Sequence, residues 1–323
     1  YTKHEISWMM YDWANSAHSV IIVTLLPIFF DTVAGYTADS VYSMSSWGYA
    51  TSIAMLIVAL AAPFLGVFGD IRGMRKKLFS FFMLLGVAAC AGMAFTPGMD
   101  FTSGPVAAGK VASLILVLYI VSVIGFDASA IYYDAFLTDV TTEDRMDKVS
   151  TMGYGLGYIG GSTSPLLIFL IMNLVGVPML TCLAFVFGLT AVWWLAFSLP
   201  LLKNCEQTSG KPYEKGDVAR RMKGVGTTIK EIIANKPMLI YILSYFFYID
   251  GVHTVISMAT TYGTNLGLDS TGMMLALLLV QILGLPFCLL YIKCSEKFGA
   301  RTMVGFGICV YMFICIFAFF MNS

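Results

Sequence analysis

Nine stretches of this chain are apolar over about twenty residues or more: 12–33, 46–68, 78–97, 110–138, 151–174, 178–200, 237–262, 271–292 and 301–321. Each is long enough to cross a hydrocarbon core of about 30 Å as a helix. Inside lipid every backbone N–H and C=O must find a partner within the segment, so repeated long apolar runs leave helices as the answer. The chain is therefore read as an all-α polytopic membrane protein. The fourth stretch exceeds one membrane thickness, and its polar end, from Asp134 to Asp139, should project into water. The first is too long for a signal peptide and has no cleavage site. Composition agrees: 58% of residues are hydrophobic and 12% charged, where soluble domains carry about 25% charged. Nineteen basic residues balance nineteen acidic ones. That excludes a nucleic-acid binder relying on net positive charge, and with it a collagen, a disordered tail and a disulfide mini-protein.

Lysine and arginine set the orientation. Lys3 precedes span one, Arg72, Arg75, Lys76 and Lys77 follow span two, and Arg145 and Lys148 follow span four. Eight more lie between spans six and seven, and Lys293, Lys297 and Arg301 join spans eight and nine. Alternating spans place all of these on one side, leaving Lys110 on the other, so the positive-inside rule predicts a cytoplasmic amino terminus. Residues 1–200 read as a six-helix bundle and 201–236 as a basic cytoplasmic linker. Residues 237–323 read as the first three helices of a second bundle. The linker reads as a solvated connector, with contact to anionic lipid headgroups as the alternative.

The two parts repeat. Asn15-Ser16-Ala17-His18-Ser19-Val20-Ile21 in span one matches Asp250-Gly251-Val252-His253-Thr254-Val255-Ile256 in span seven, 235 residues later. Asp70-Ile71-Arg72-Gly73-Met74-Arg75 after span two matches Glu296-Lys297-Phe298-Gly299-Ala300-Arg301 after span eight. Both matches begin with the chain running the same way through the membrane, which argues for parallel repeats. On that arithmetic the sequence stops about three helices short of a second complete half, and a twelve-helix protein of which this is a fragment is the expectation.

Motifs of other chemistries are missing. No CxxC, HExxH, phosphate-binding GxxxxGK[ST] or GxSxG occurs, so neither a metal, a cofactor nor an enzyme is expected. Five cysteines sit in apolar runs, while Cys205 and Cys294 fall in basic loops. Gly155-Leu156-Gly157-Tyr158-Ile159-Gly160 matches a dinucleotide fingerprint only formally, since no strand precedes it. Gly153, Gly157 and Gly161 are spaced by four, the pattern that lets membrane helices approach closely.

Gly66, Asp70, Gly73, Arg75 and Lys76 after span two, with the six-plus-six arrangement, resemble the major facilitator superfamily. Ile71 stands where that pattern is usually basic. Four stretches resemble the branch of vacuolar amino-acid effluxers linked to autophagy and their bacterial relatives. These are Tyr11-Asp12-Trp13-Ala14-Asn15-Ser16-Ala17, Tyr132-Tyr133-Asp134-Ala135-Phe136-Leu137, the glycine-rich 153–161, and Tyr248-Ile249-Asp250-Gly251. The resemblance implies a secondary transporter working by alternating access, with amino-acid efflux the best-known activity. Sugars, peptides or organic anions are the alternative substrates, and a channel or receptor on the same scaffold is the alternative function. It implies that Asp70 pairs with bases and a helix terminus of the other half to hold an inner gate shut, while Arg75 and Lys76 anchor at the cytoplasmic interface. Helices one and seven border the central cavity in that fold.

Ionisable groups within a bilayer usually face a cavity or a partner. Asp250 and His253 are one helical turn apart near mid-span, and Asn15 and His18 occupy the matching places. The two pairs are expected to face each other across the cavity, where a proton could be taken up and released. Asp127 is expected to line its inner half, with Tyr154, Tyr158, Tyr248 and Gln281 as further pathway candidates. Asp134 and Asp139 are expected to pair with Arg145 or Lys148. The partners implied are a small-molecule substrate, protons and the bilayer, not nucleic acid, and the complete protein should be monomeric. A bacterial chain would sit in the cell (inner) membrane and a fungal one in the vacuolar membrane.

Overall fold

A computed structural model describes residues 1–37, 42–210, 212, 217–265 and 270–320. The protein is an all-helical, multi-pass membrane protein. Among the described residues eight helices are long and apolar enough to cross a membrane, or nine if one sharply bent pair counts as a span. The chain forms two compact units, Tyr1–Val218 and Ala219–Ser323.

In the first unit the helices are α1 (Lys3–Val23), α2 (Leu25–Ala34), α3 (Tyr42–Gly69), α4 (Arg75–Met93), α5 (Pro105–Val140), α6 (Met146–Gly157), α7 (Ser164–Leu174) and α8 (Met179–Asn204). The first span differs from its prediction by starting at Lys3 rather than 12. Thr2 caps the helix and forms a reciprocal capping box with Glu5, satisfying donors that a helix start would otherwise leave bare. The polar first turn is then buried, with Glu5 1% exposed. The break at Thr24 follows from Pro27, which lacks an N–H and whose ring conflicts with the carbonyl four residues back. The predicted fourth span is indeed overlong: α5 has 36 residues, about 54 Å of helix.

The glycine-rich fifth span is not one regular helix. Between α6 and α7, Tyr158–Thr163 is a turn of π-helix. Pro165 follows immediately and removes a donor from the ladder. The glycines lie against α1. A Cβ at Gly153 would come within 2.6 Å of Asp12, at Gly157 within 2.5 Å of Ser16, and at Gly161 within 2.7 Å of the Ala17 backbone nitrogen. Backbone approach of this kind admits only glycine. Aromatic side chains fill the interior, among them Trp8, Tyr11, Phe79, Tyr132, Phe136 and Trp194, each at most 2% exposed.

The second unit contains most of α9 (Asp217–Ala234), then α10 (Lys236–Asn265), α11 (Ser270–Phe298) and α12 (Ala300–Phe319). Cys294, expected in a loop, lies inside α11, because α11 continues well past the apolar run. The basic segment 201–236 is largely ordered: α8 runs to Asn204, and α9 is helical. α9 meets α10 at 96°. Asn235 closes α9 and its side chain accepts a hydrogen bond from the Met238 N–H at 3.3 Å. Pro237 cannot donate to a continuing α9 ladder, so the chain turns sharply at Asn235.

Candidate functional site

Three of the four stretches singled out in the sequence meet in the first unit. Around them α1 contributes Trp8, Tyr11 and Asp12, α5 contributes Ser129 and Tyr133, and α6 contributes Gly153. The Tyr133 hydroxyl donates to Asp12 Oδ2 at 2.7 Å. The Trp8 indole stacks on the Tyr133 ring at 4.3 Å and its Nε1 donates to the Tyr133 carbonyl at 2.9 Å. The Tyr11 hydroxyl bonds Ser129 at 2.8 Å. Gly153 makes room for the Asp12 carboxylate, since any Cβ there would collide with it. Asp12 lies within the resembling α1 stretch, and an aspartate inside an apolar span is the signal that marks it in the sequence.

Three elements build the turn after α3. Gly73 has φ +82°, a conformation that costs glycine little and other residues more. Its N–H donates to Gln207 Oε1 at 2.8 Å, and Gln207 Nε2 donates to the Gly69 carbonyl at 2.9 Å. Arg75, expected at the membrane interface, is instead buried at 5% exposure. Its Nη1 donates to Asp139, to the Ala135 carbonyl at 2.9 Å and to Ser209 Oγ at 3.2 Å. Its guanidinium lies 5.7 Å from the centre of the Phe136 ring. Asp139 also accepts from the N–H groups of Thr208 and Ser209. Asp139 therefore pairs with Arg75. Arg145 turns to Glu5 at 2.8 Å, which also accepts from Thr141 at 2.7 Å. Gln207 and Ser209 carried no signal in the sequence; they strap the turn from beyond α8. Asp70 and Asp134 are exposed, and Gly66 and Lys76 are half-buried. Just beyond α8, burial pushes the Cys205 thiol up to about 11.

Asn15 and His18, expected to border a cavity, are enclosed in the first unit at 7% and 2% exposure. The imidazole lies between Phe126 and Trp194, 5.0 Å from each ring centre. Neither ring nitrogen has a hydrogen-bond partner among the described residues. Asp127 is half-buried on α5, and Tyr154 is exposed with its ring edge-on to Tyr158 at 5.2 Å.

In the second unit, Asp250 and His253 lie one turn apart on α10 and are both exposed within that unit, with Tyr248 half-buried. Neither has an ion pair or hydrogen bond to another described residue. Gln281 is half-buried on α11, its Oε1 buried without a hydrogen-bond partner among the described residues. Among the described residues no group of three His, Cys, Asp or Glu is placed to hold a metal ion.

Residues 38–322 match the family described as vacuole effluxer Atg22 like. The chain is 38% identical over 331 residues to the uncharacterized MFS-type transporter YxiO of Bacillus subtilis (strain 168), covering all of this chain and 74% of that protein. It is 24% identical over 177 residues to autophagy-related protein 22-1 of Penicillium rubens, which covers 51% of this chain but only 30% of that protein. Among solved structures, it is similar to the partially occluded inward-open xylose transporter XylE of E. coli. That likeness has a TM-score of 0.54 at 17% identity and covers 92% of this chain and 72% of XylE. At such identity it speaks for the fold alone, the major facilitator fold.

Proposed function

Because the chain belongs to the vacuole effluxer Atg22-like family, we propose that it exports an amino acid or a related small metabolite by alternating access, coupled to protons. The broad class needs no proposal: it is a transporter of the major facilitator type, embedded in a membrane by several helices, and not an enzyme. Efflux follows the family's description, and the amino acid follows the resemblance carried by the four stretches.

One observation supports the coupling. Asp250 sits in the middle of a membrane-crossing helix, exposed within its unit and without a partner among the described residues. A carboxylate without a partner in hydrocarbon costs several kcal/mol, and in this reading Asp250 meets water or substrate during the cycle. His253 on the next turn is the base beside it. In this reading the pair binds a proton when water reaches it from one side and releases it to the other. The turn at Asp70, Gly73 and Arg75 serves the inner gate.

The test is uptake into proteoliposomes. Asp250→Asn keeps the size of the side chain and removes its charge. It should abolish uptake driven by a pH gradient while exchange of substrate without a gradient persists. Unchanged gradient-driven uptake would remove Asp250 from the coupling. Absence of saturable transport for every amino acid offered would remove the substrate class.

A further inference from the structure

We infer that α9 lies in the plane of the membrane as an amphipathic helix, bound by its basic residues to an anionic lipid surface. Nothing in this depends on what the protein transports.

The sequence of α9 has one narrow apolar stripe. Val218, Met222, Val225, Ile229 and Ile232 recur at spacings of four, three, four and three, the interval of a single helix face. The remaining arc carries Thr227, Thr228, Lys230 and Glu231, all exposed. Between residues 217 and 236 there are five basic residues (Arg220, Arg221, Lys223, Lys230 and Lys236) against the acids Asp217 and Glu231. A stripe this narrow with a basic remainder is too polar to cross a bilayer and suits its interface.

Two features of the structure identify the occupant of the stripe. Two isoleucines on this side of the helix are uncovered: Ile229 is 48% and Ile233 59% exposed, while Val225 and Ile232 are half-buried. The helix also meets the 30-residue α10, which carries the seventh apolar stretch, at 96° through a capped break at Asn235. Spans tilt by roughly 20° from the bilayer normal. A helix at a right angle to one, starting from its end, therefore runs nearly along the headgroup layer. There its isoleucines reach the acyl boundary and its lysines and arginines meet lipid phosphates. Charge complementarity selects anionic lipid over a neutral surface.

The experiment places the photoreactive residue p-benzoylphenylalanine at Ile229, Ile233 or Thr227 of the full chain. The protein is reconstituted in phosphatidylcholine vesicles, pure or with roughly one-third phosphatidylglycerol, and lipid adducts are read by mass spectrometry. Thr227 is exposed like the other two but lies on the opposite side of the helix, so it controls for folding and labelling. Lipid adducts should be at least about fivefold more abundant at Ile229 and Ile233 than at Thr227. Combining Arg220→Gln, Arg221→Gln, Lys223→Gln and Lys230→Gln should cut the Ile229 adduct at least about fivefold in the anionic vesicles and leave it unchanged in pure phosphatidylcholine. Equal yields at Thr227 and Ile229 would overturn the in-plane placement. Adducts at Ile229 mainly to protein would make the occupant a protein surface and overturn the lipid one. Yields indifferent to headgroup charge would overturn the anionic preference.

Discussion

The two units use apolar sequence in different ways. In the first, the most apolar windows of the spans are between 11% and 61% buried by protein; in the second, those of α11 and α12 are 0% buried. Polar groups divide along the same line. Glu5, Asp12, Arg75 and Asp139 of the first unit each have named protein partners. Asp250 and His253 of the second have none among the described residues. Burying a charge without a partner is costly, and these four charged groups are paired, although the buried His18 ring of the same unit has no hydrogen-bond partner among the described residues.

If that contrast is real, the largest effects of substitution fall in the first unit. Asp139→Ala leaves Arg75 buried beside an empty place and should destabilise by about 3–5 kcal/mol. Lys297→Ala removes an exposed cation lying 5.3 Å over the Phe298 ring and should change stability by less than about 0.5 kcal/mol. Thermal unfolding in detergent measures both, and similar losses for the two would erase the contrast. Next come paired glycine substitutions. Gly161→Ala drives a methyl into the Ser16–Ala17 backbone and should cost about 1–3 kcal/mol. Gly307→Ala has nothing within 4 Å and should be neutral or stabilising by up to about 1 kcal/mol. The smallest effect concerns thiols. Cys205 is fully buried and its thiol stays protonated up to about 11. A maleimide at pH 8 should therefore label half-buried Cys294 well before Cys205. Raising the pH from 9 towards 11 should weaken the first unit, because the unfolded thiol ionises first and the folded one resists.

The spans, the overlong α5, the close-packing glycines and the tight turn at Gly73 were all legible in the sequence. Each depends on residues within one turn or one membrane thickness, so a short window holds the information. The candidate site was less legible. His18 looked like a cavity residue because histidine in a span is unusual, yet Phe126 and Trp194, 108 and 176 residues further along, close over it. Asp139 looked like the partner of nearby Arg145 because proximity along the chain was the only measure available.

What the sequence determined by itself was that these helices form and cross the membrane, since about twenty apolar residues satisfy their own backbone in lipid. Only the tertiary structure decided which charge meets which. Arg75 and Asp139, or Glu5 and Arg145, are 64 and 140 residues apart, and their pairing follows from how α1, α4 and α5 pack. It also decided that the Gln207–Ser209 strap closes over the signature turn. An ion pair needs a few ångströms of approach from both sides, and that distance is set by every side chain between the helices, not by the spacing of two residues along the chain.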